Sequence, residues 1–358
     1  MKALERTSRK IEHIEHTLQL SSKERTHHSF DDIQFVHQSL PNIDVDNVVI
    51  HTNVGELFLS SPIFINAMTG GGGERTISIN RSLAKMAKKY NMAMAVGSQM
   101  AAIRDKNERA TFEVVREENP SGIVISNLGS EATVAEAKEA VEMVNADALQ
   151  IHLNVVQELV MPEGDRHFSG ALDRIKEIVE NLEVPVIVKE VGFGMSKETA
   201  TKLANVGVNV IDVGGSGGTN FAKIENLRRD HALDLFNDWG IPTAAAICEV
   251  KTSQPFLSVI GTGGIRTGLD IAKAISLGCS AVGVAGLFLK DLHQNGSEGL
   301  ESTVERLHYE LKMVMTVLGI KKIDDLRKVP LIISGETFHW LKQRGIPTKN
   351  YAQRVYPH

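Results

Sequence analysis

The sequence has little of what marks secreted, metal-binding or membrane proteins. It contains only two cysteines, Cys248 and Cys279, which lie far apart in apolar stretches without metal or redox spacing. We expect two buried, unreactive thiols, which suits a reducing, cytoplasmic location. No segment approaches the roughly 18 apolar residues that a membrane helix needs. The first 16 residues also lack the apolar core of a secretory signal.

Neither sign of charge dominates the chain, whose formal net charge is −5. Nonspecific nucleic-acid binding depends on many cations facing phosphates, so this balance argues against a nucleic-acid partner. Hydrophobic residues make up 42% and charged residues 23% of the 358 positions. This is an ordinary globular composition, and the chain is long enough to bury one large core.

A regular rhythm begins near residue 60, where short runs rich in Val and Ile alternate with amphipathic stretches. Continuous apolar strands separated by helices are typical of a parallel sheet covered on both faces. Eight strands are predicted, at Pro62–Ala67, Met92–Gly97, Gly122–Asn127, Ala148–Asn154, Pro185–Glu190, Val208–Val213, Leu257–Gly261 and Ala281–Ala285. Helices are predicted at Ile77–Tyr90, Ala132–Val144, Gly170–Leu182, Lys197–Val206, Pro242–Thr252, Leu269–Leu277 and Ser302–Leu318.

Eight such units in about 230 residues predict an α/β fold, a (β/α)₈ TIM-type barrel. A doubly wound open sheet is the alternative. Because no low-complexity or Pro/Ser-rich linker interrupts the chain, we expect one domain over residues 1–358. It would have an N-terminal extension at 1–60, the barrel at 61–290 and C-terminal helices at 291–358.

Unusual residues follow the early strands, where barrel enzymes place their active sites. The first strand runs into Gly70–Gly73, whose glycines let the backbone approach a flat ligand. Ser98 follows the second strand, and Asn127 ends the third with an amide suited to a heteroaromatic edge. A flexible loop and ordinary turn residues are the alternative for each of these positions.

The fourth and fifth strands end in groups that can ionise or donate hydrogen bonds. Strand alternation places His152 and Asn154 on one face, with Gln157 and Glu158 just beyond. A core histidine and a solvated glutamate are the alternative. Lys189 would be costly inside a barrel without a negative or electron-rich partner. That partner could be the N1–C2=O edge of a flavin or a carboxylate in a buried ion pair.

Glycine-rich turns follow the last three strands, at Gly214–Thr219, Gly261–Arg266 and Ala285–Gly286. Such turns present backbone N–H groups to an anion, and barrel phosphate sites commonly lie after strands seven and eight. The chain has neither a Walker loop nor an N-terminal GxGxxG unit. One phosphate site beside a ring of polar strand ends suits FMN, whose chemistry the protein would position and tune.

Taken together, these motifs resemble the type 2 isopentenyl diphosphate isomerases, the FMN-dependent class, over residues 8 to about 320. The barrel and FMN features are shared with a wider superfamily of flavin barrels. The segments that carry the resemblance are Arg9–His13, Ala67–Gly71, Gly97–Gln99, His152–Asn154 with Gln157–Glu158, Gly218–Phe221 with Ile224–Asn226, and Gly263–Gly268.

The resemblance implies a role for each matched residue. Contacts to the flavin ring and its ribityl chain fall on Ala67, Met68, Thr69, Ser98, Asn127 and Lys189. The FMN phosphate end falls on Thr219, Gly264, Ile265, Arg266, Ala285 and Gly286. Binding of the substrate diphosphate falls on Arg9, Lys10, His152 and Asn154. Gln157 would be the catalytic residue near the reacting carbons, and Glu158 would hold Mg²⁺.

The implied reaction converts isopentenyl diphosphate to dimethylallyl diphosphate by a 1,3-proton shift. It would use reduced FMN, with NADPH as reductant and Mg²⁺ bridging to the diphosphate, in a homo-oligomer of four or eight chains. The main alternative is an FMN-dependent oxidoreductase of the α-hydroxy-acid oxidase type, but no histidine follows strand seven. A nucleotide dehydrogenase would need a cysteine within Gly214–Thr219, which has none. A binding module without enzymatic activity would leave the polar strand ends unexplained.

Overall fold

The computed structural model describes residues 28–357. Its strands are β1 (Ile33–Phe35), β2 (Thr52–Val54), β3 (Leu57–Leu59), β4 (Ile63–Ile65), β5 (Met94–Ala95), β6 (Val124–Gly129), β7 (Ala148–Leu153), β8 (Val186–Glu190), β9 (Val210–Asp212), β10 (Ser258–Thr262), β11 (Ala281–Val284) and β12 (Leu331–Ile333). Strands β4 to β11 are parallel and form one closed barrel in chain order.

The closure of the barrel decides between the two predicted folds. Strand β11 pairs with β4 in parallel register, with Val282 opposite Ile63 and Val284 opposite Ile65. An open doubly wound sheet would leave these two strands as edges. The predicted (β/α)₈ barrel is therefore confirmed, and every predicted strand overlaps a barrel strand.

Helices cover the barrel and fill the connections between its strands. They are α1 (Glu74–Lys89), α2 (Met100–Arg104), α3 (Ala110–Glu118), α4 (Val134–Met143), α5 (Val155–Val160), α6 (Ala171–Asn181), α7 (Lys197–Asn205), α8 (Phe221–Asn226), α9 (Thr243–Ser253), α10 (Gly268–Leu277), α11 (Gly286–Val317), α12 (Ile323–Leu326), α13 (Gly335–Gln343) and α14 (Lys349–Ala352). The sequence prediction lacks the short helices α2, α3, α5 and α8. Between α2 and α3, the 3₁₀ turn at Lys106–Glu108 divides the segment into pieces too short for a clear periodicity.

Many predicted boundaries differ from the structure by a few residues, and three of the differences have a clear local cause. Strand β6 continues two residues past Asn127, because Leu128 and Gly129 also pair with β7. Pro242 precedes the first turn of α9 with an extended ψ of 144°, so the helix begins at Thr243. Helix α11 starts well before Ser302 and is interrupted at Gly296, whose φ of 67° lies in the region that favours glycine.

A small antiparallel hairpin closes the N-terminal end of the barrel. Strands β2 and β3 pair with each other, and Thr52 donates its hydroxyl hydrogen to the carbonyl of Ser280, one residue before β11. Val54 and Leu59 of this hairpin belong to the cluster of buried side chains inside the barrel. This end is thereby filled with apolar side chains, and the opposite end is the one that can receive a ligand.

The interior of the barrel is apolar in its lower part. Strand alternation directs one side chain in two towards the axis. Inward side chains on or next to β4 to β11 form a single buried cluster with the hairpin, made of Phe64, Ala93, Ala95, Ile125, Ala148, Ile187, Val210, Ile260 and Ala281. A second and larger cluster lies between the outer faces of the strands and the helices.

Both cysteines are buried, as predicted. Burial raises the pKa of the Cys248 thiol to about 12 and that of Cys279 well above its usual value. Thiols that stay protonated at neutral pH are poor nucleophiles, which agrees with the predicted absence of reactivity. Among residues 28–357, no helix is long and apolar enough to cross a membrane.

We expect Gly283→Ala to destabilise the barrel by about 2 kcal/mol, because the position is overpacked by any side chain. A Cβ atom at Gly283 would lie 2.6 Å from Thr262 Cγ2, 2.8 Å from Asn66 Nδ2 and 2.9 Å from Phe64 Cζ. Equilibrium unfolding in denaturant measures the change. The double variant with Thr262→Ser, which removes the closest methyl group but keeps the hydroxyl, should recover part of the loss. Full stability of Gly283→Ala would contradict this account of the packing.

Candidate active site

A layer of polar side chains lies above the apolar interior, at the C-terminal end of the barrel. His152, Lys189 and Asp212 occupy consecutive register positions on β7, β8 and β9. Residues paired in this way point to the same side of a sheet. Their side chains therefore meet at one level of the barrel mouth.

Asp212 is the buried carboxylate at the centre of this layer, with no exposed surface. Its Oδ2 atom accepts a hydrogen bond of 2.9 Å from Asn66 Nδ2 and lies 3.7 Å from the Lys189 ammonium. Its Oδ1 atom accepts from the Gly214 N–H at 3.1 Å and from the Thr262 hydroxyl. A buried charge is tolerated only with such compensation.

Lys189 is 8% exposed and donates to the backbone carbonyl of Glu190 at 2.6 Å, in addition to its ion pair with Asp212. The ion pair was one of the two partners considered from the sequence. An ammonium group has three donors, so these two contacts leave a further one for a ligand at the barrel mouth.

His152 is half-buried on β7, and its Nδ1 atom lies 2.8 Å from Asn127 Oδ1. Asn127 in turn bonds to Gln150, and Gln150 bonds to Asn66. Burial, reinforced by the nearby Lys189 ammonium, lowers the pKa of His152 to about 4. The imidazole is therefore neutral at physiological pH.

A second polar group surrounds helix α5. Strand β7 ends at Leu153, so strand alternation does not extend to Asn154, which precedes the helix instead. Asn154 Nδ2 donates to Glu158 Oε1 at 2.9 Å and lies 3.4 Å from Gln157 Oε1. Gln157 Nε2 donates to the fully buried carboxylate of Glu225 on α8 at 3.2 Å. These contacts fix the orientation of both amides.

The loops after β9, β10 and β11 converge on the other side of the mouth. A Cβ atom on Gly218 would lie 2.9 Å from the backbone nitrogen of Gly264, and one on Gly286 would lie 3.2 Å from Thr219 Oγ1. Helix α11 begins at Gly286, and its N-cap residue Ala285 makes no side-chain cap bond to the first N–H groups, which a helix leaves without intrahelical partners. Closely approaching glycine backbones beside a helix N-terminus form a site suited to an anion.

Arg266 is held by two carboxylates. Its guanidinium donates to Asp270 at 3.1 Å and to Asp31 at 2.9 Å. Burial lowers the pKa of Arg266, but the hydrogen bonds to Asp270 and Asp31 outweigh that effect, so the pKa lies above its usual value. The arginine thus ties the loop after β10 to the segment before β1. Its predicted contact with a phosphate stays a prediction.

Within the described residues, the predicted site residues all lie in the last residues of barrel strands or in the segments that follow them. Ala67 and Met68 are half-buried and Thr69 is buried after β4, and Ser98 is half-buried after β5. Ile265 is buried and Ala285 half-buried after β10 and β11. Arg9 and Lys10 lie outside the described residues. The assigned roles stay predictions, but the side chains share one end of the barrel.

Three buried polar residues of the upper layer were missed by the sequence analysis: Asn66, Gln150 and Asp212. Gln150 lies two residues before His152, and Asp212 is the last residue of β9, inside the predicted strand Val208–Val213. Period-two alternation could have found Gln150, because it shares the inward face with His152. Polar residues inside an otherwise apolar strand, such as Asn66 and Asp212, are themselves a sequence signal of a buried polar site.

Comparison with known proteins identifies the family. A family model described as FMN-dependent dehydrogenase matches residues 98–332. The isopentenyl-diphosphate delta-isomerase of Geobacillus sp. (strain WCH70) is 60% identical over 351 residues, covering 98% of this chain and 100% of that protein. That of Bacillus pumilus (strain SAFR-032) is 57% identical, covering 98% of each. The chain belongs to the isopentenyl-diphosphate delta-isomerase family. The predicted family and the predicted enzyme class, an isomerase of an FMN-dependent family, are confirmed.

Solved structures with the same fold share less sequence identity with this isopentenyl-diphosphate delta-isomerase family member than the relatives above do. A lactate oxidase of Pediococcus acidilactici superposes with a TM-score of 0.66 at 18% identity, covering 86% of this chain and 84% of that chain. A mandelate oxidase carrying an FMN adduct gives a TM-score of 0.63 at 16% identity, covering 86% and 90%. These likenesses show a shared barrel fold.

Glu190, at the end of β8, is a further titratable group beside the site. Its Oε2 atom accepts the N–H groups of Gly192, Phe193 and Gly194 at 2.8, 2.6 and 3.2 Å. Burial nevertheless raises the pKa of Glu190 from 4.5 to about 7. The carboxyl group therefore holds the turn after β8 while carrying a proton in mildly acidic solution.

We expect Glu190→Gln to change how stability depends on pH between 4.5 and 7. In that window the folded wild type binds more protons at Glu190 than the unfolded chain, so the contribution of this group falls as pH rises. Relative to wild type, the variant should gain up to about 3 kcal/mol across the window. Denaturant unfolding at several pH values measures this. Glu183→Gln, at an exposed position before β8, should keep the wild-type slope. Parallel curves for wild type and Glu190→Gln would contradict the prediction.

Proposed function

We propose that this protein isomerises isopentenyl diphosphate to dimethylallyl diphosphate with FMN and Mg²⁺ at the C-terminal mouth of the barrel. The observation that carries the proposal is the arrangement of that mouth: a polar layer centred on Lys189 and His152, with glycine loops on one side and the α5 cluster on the other. The relatives with 56–60% identity bear the name of this isomerase.

The residues after the strands fit FMN. The Thr69 hydroxyl is buried and has no hydrogen-bond partner within the described residues, as expected for a group that a ligand completes. Lys189 can direct its remaining donor at a ring oxygen or nitrogen, and the Gly264 and Gly286 backbones can hold the phosphate. Bound in its reduced form, FMN would supply an electron-rich ring that stabilises positive charge developing on an alkene.

Glu158 would hold Mg²⁺ for the substrate diphosphate. Its two carboxylate oxygens accept one hydrogen bond each, from Asn154 Nδ2 and from the Asp165 N–H at 2.7 Å, which leaves lone pairs free. The described residues contain no cluster of three groups that could cage a metal ion. This fits Mg²⁺, which keeps several waters and often uses one or two carboxylates together with substrate phosphates.

Gln157 would be placed at the reacting carbons by two contacts. Asn154 approaches its carbonyl oxygen, and Glu225 accepts from its amide nitrogen. Glu225 also accepts from Arg228 at 2.7 Å, and that arginine bonds to Glu163. A substrate seated between Gln157 and the cofactor site would therefore meet an amide whose orientation is fixed by a buried carboxylate.

The remaining parts of the proposal come from the family resemblance. They are NADPH as the reductant of FMN, binding of the diphosphate by Arg9 and Lys10 as well as His152, one FMN-binding domain over the whole chain, and a cytoplasmic homo-oligomer of four or eight chains. The α-hydroxy-acid oxidase alternative is supported by the shared barrel, at 15–18% identity, and by the match to the model described as FMN-dependent dehydrogenase, whereas the relatives at 56–60% identity bear the isomerase name.

Anaerobic assay with reduced FMN, Mg²⁺ and isopentenyl diphosphate tests the activity directly. We expect dimethylallyl diphosphate to form without net change in the redox state of FMN. Reduction of oxidised FMN by 2-hydroxy acids, followed in the visible spectrum, would favour the oxidase alternative. Absence of turnover under the anaerobic conditions would sink the proposed function.

We expect Glu158→Gln to weaken Mg²⁺-dependent substrate binding by roughly tenfold or more while leaving FMN in place. The reason is that a neutral amide is a poor ligand for a hard cation. KM for isopentenyl diphosphate at several Mg²⁺ concentrations, with FMN content from absorbance, measures both. Glu177→Gln on α6 removes the same charge at an exposed position and should behave as wild type. Loss of FMN with an unchanged Mg²⁺ dependence would refute the role of Glu158.

A further inference from the structure

A continuous chain of hydrogen bonds crosses the barrel mouth from Asp212 to His152. Asn66 Nδ2 donates to Asp212 Oδ2 at 2.9 Å, and Gln150 Nε2 donates to Asn66 Oδ1 at 3.3 Å. Asn127 Nδ2 donates to Gln150 Oε1 at 3.2 Å, and Asn127 Oδ1 lies 2.8 Å from His152 Nδ1. The three amides and the carboxylate are at most 3% exposed, so water does not compete for these bonds.

Asp212, at one end of this series of hydrogen bonds, acts only as an acceptor. The other groups bonded to or paired with Asp212 are the Lys189 ammonium, the Thr262 hydroxyl and the Gly214 N–H, and all three are donors. Asn66 must therefore turn its NH₂ group towards the carboxylate. The backbone favours the same orientation, because the Ala67 N–H donates to Asn66 Oδ1 at 2.8 Å, and the Asp212 carboxylate adds the bond on the other side of the amide.

The orientation of Asn66 then determines every amide that follows. Two oxygens or two NH₂ groups cannot share a short hydrogen bond, so Gln150 presents its nitrogen to Asn66 and its oxygen to Asn127. Asn127 in turn presents its nitrogen to Gln150 and its oxygen to His152. The imidazole nitrogen that faces this oxygen, Nδ1, must carry the hydrogen.

We propose that Asp212 is a positioning residue that fixes the tautomer of His152 through Asn66, Gln150 and Asn127, with the hydrogen on Nδ1 and the lone pair on Nε2. The consequence for binding rests on the proposed function, in which His152 contacts the diphosphate. An Nε2 lone pair accepts a hydrogen bond, so a diphosphate that contacts it must supply the hydrogen, as a P–OH group or through a metal-bound water. The chain thereby defines which protonation state of the ligand matches this position.

The test reads the tautomer of His152 by NMR in the FMN-bound protein, labelled with ¹⁵N-histidine and without substrate, at neutral pH. His152→Gln identifies the resonance. In wild type we expect a pyrrole-type Nδ1 signal and a pyridine-type Nε2 signal. The opposite assignment in wild type would overturn the proposal, whatever the variants show.

Two variants test whether the tautomer is set by the chain. Gln150→Met keeps the volume but removes both hydrogen bonds, so the Nε2 signal should move towards the pyrrole-type position as the other tautomer becomes populated. Asp212→Asn should act in the same direction but more weakly: Gly214 and Thr262 keep the new carbonyl oxygen, which turns an NH₂ group towards that of Asn66, whereas the Ala67 N–H still favours the original orientation of Asn66. If folded, FMN-bound Gln150→Met keeps the wild-type tautomer of His152, the proposal that this series of hydrogen bonds sets the tautomer is wrong.

Ser126→Ala is the matched control. Its hydroxyl is fully buried on β6 and bonds to the Ala148 carbonyl at 3.1 Å, beside the chain but outside it. The control should keep the wild-type tautomer. If the His152 Nε2 signal of Ser126→Ala shifts as much as that of Gln150→Met, the effect comes from a general loss of packing around the site and the proposal is refuted. Because no step requires substrate, this outcome is independent of whether the anaerobic assay shows isomerisation.

Discussion

The barrel mouth depends on one buried negative charge and the donors that surround it. Asp212 has no exposed surface, and its oxygens are satisfied by Asn66 just after β4, Lys189 from β8 and Thr262 from β10. A carboxylate this deep in the protein is costly unless each oxygen is compensated. Its presence therefore links strands from opposite sides of the barrel in a single arrangement, and the position of Lys189 is one result.

The barrel tolerates this polar layer because apolar and polar side chains are separated along its axis. Below it, apolar side chains such as Phe64, Ile187 and Val210 fill the axis, and the β2–β3 hairpin closes the N-terminal end. The stability that this packing contributes grows with the apolar area removed from water. The upper layer is then free to hold groups chosen for binding, and all the strands deliver them to the same end.

Much of this architecture could be predicted from the sequence, because it follows from periodicity and glycine placement. The run Val186–Glu190 is apolar at its first three positions, so both the strand and Lys189 near its end could be predicted. The glycine loops at Gly218 and Gly264 were visible for a similar reason. The contacts around these residues could not be predicted, because they join distant positions. The hydrogen bond between Asn66 and Asp212, the carboxylate that pairs with Lys189, joins positions 146 residues apart. Single-sequence periodicity carries no information about such a pairing, nor about the two carboxylates that hold Arg266.

The short pairing of β1 with β12 joins Ile33 to Ile333, near the two limits of the described chain. A contact of such long range forms at the end of a large loop, whose closure is entropically costly and slow. During synthesis, β1 leaves the ribosome long before its partner exists. Strand β1 therefore stays unpaired, and open to other associations, until the segment that contains Ile333 has been made.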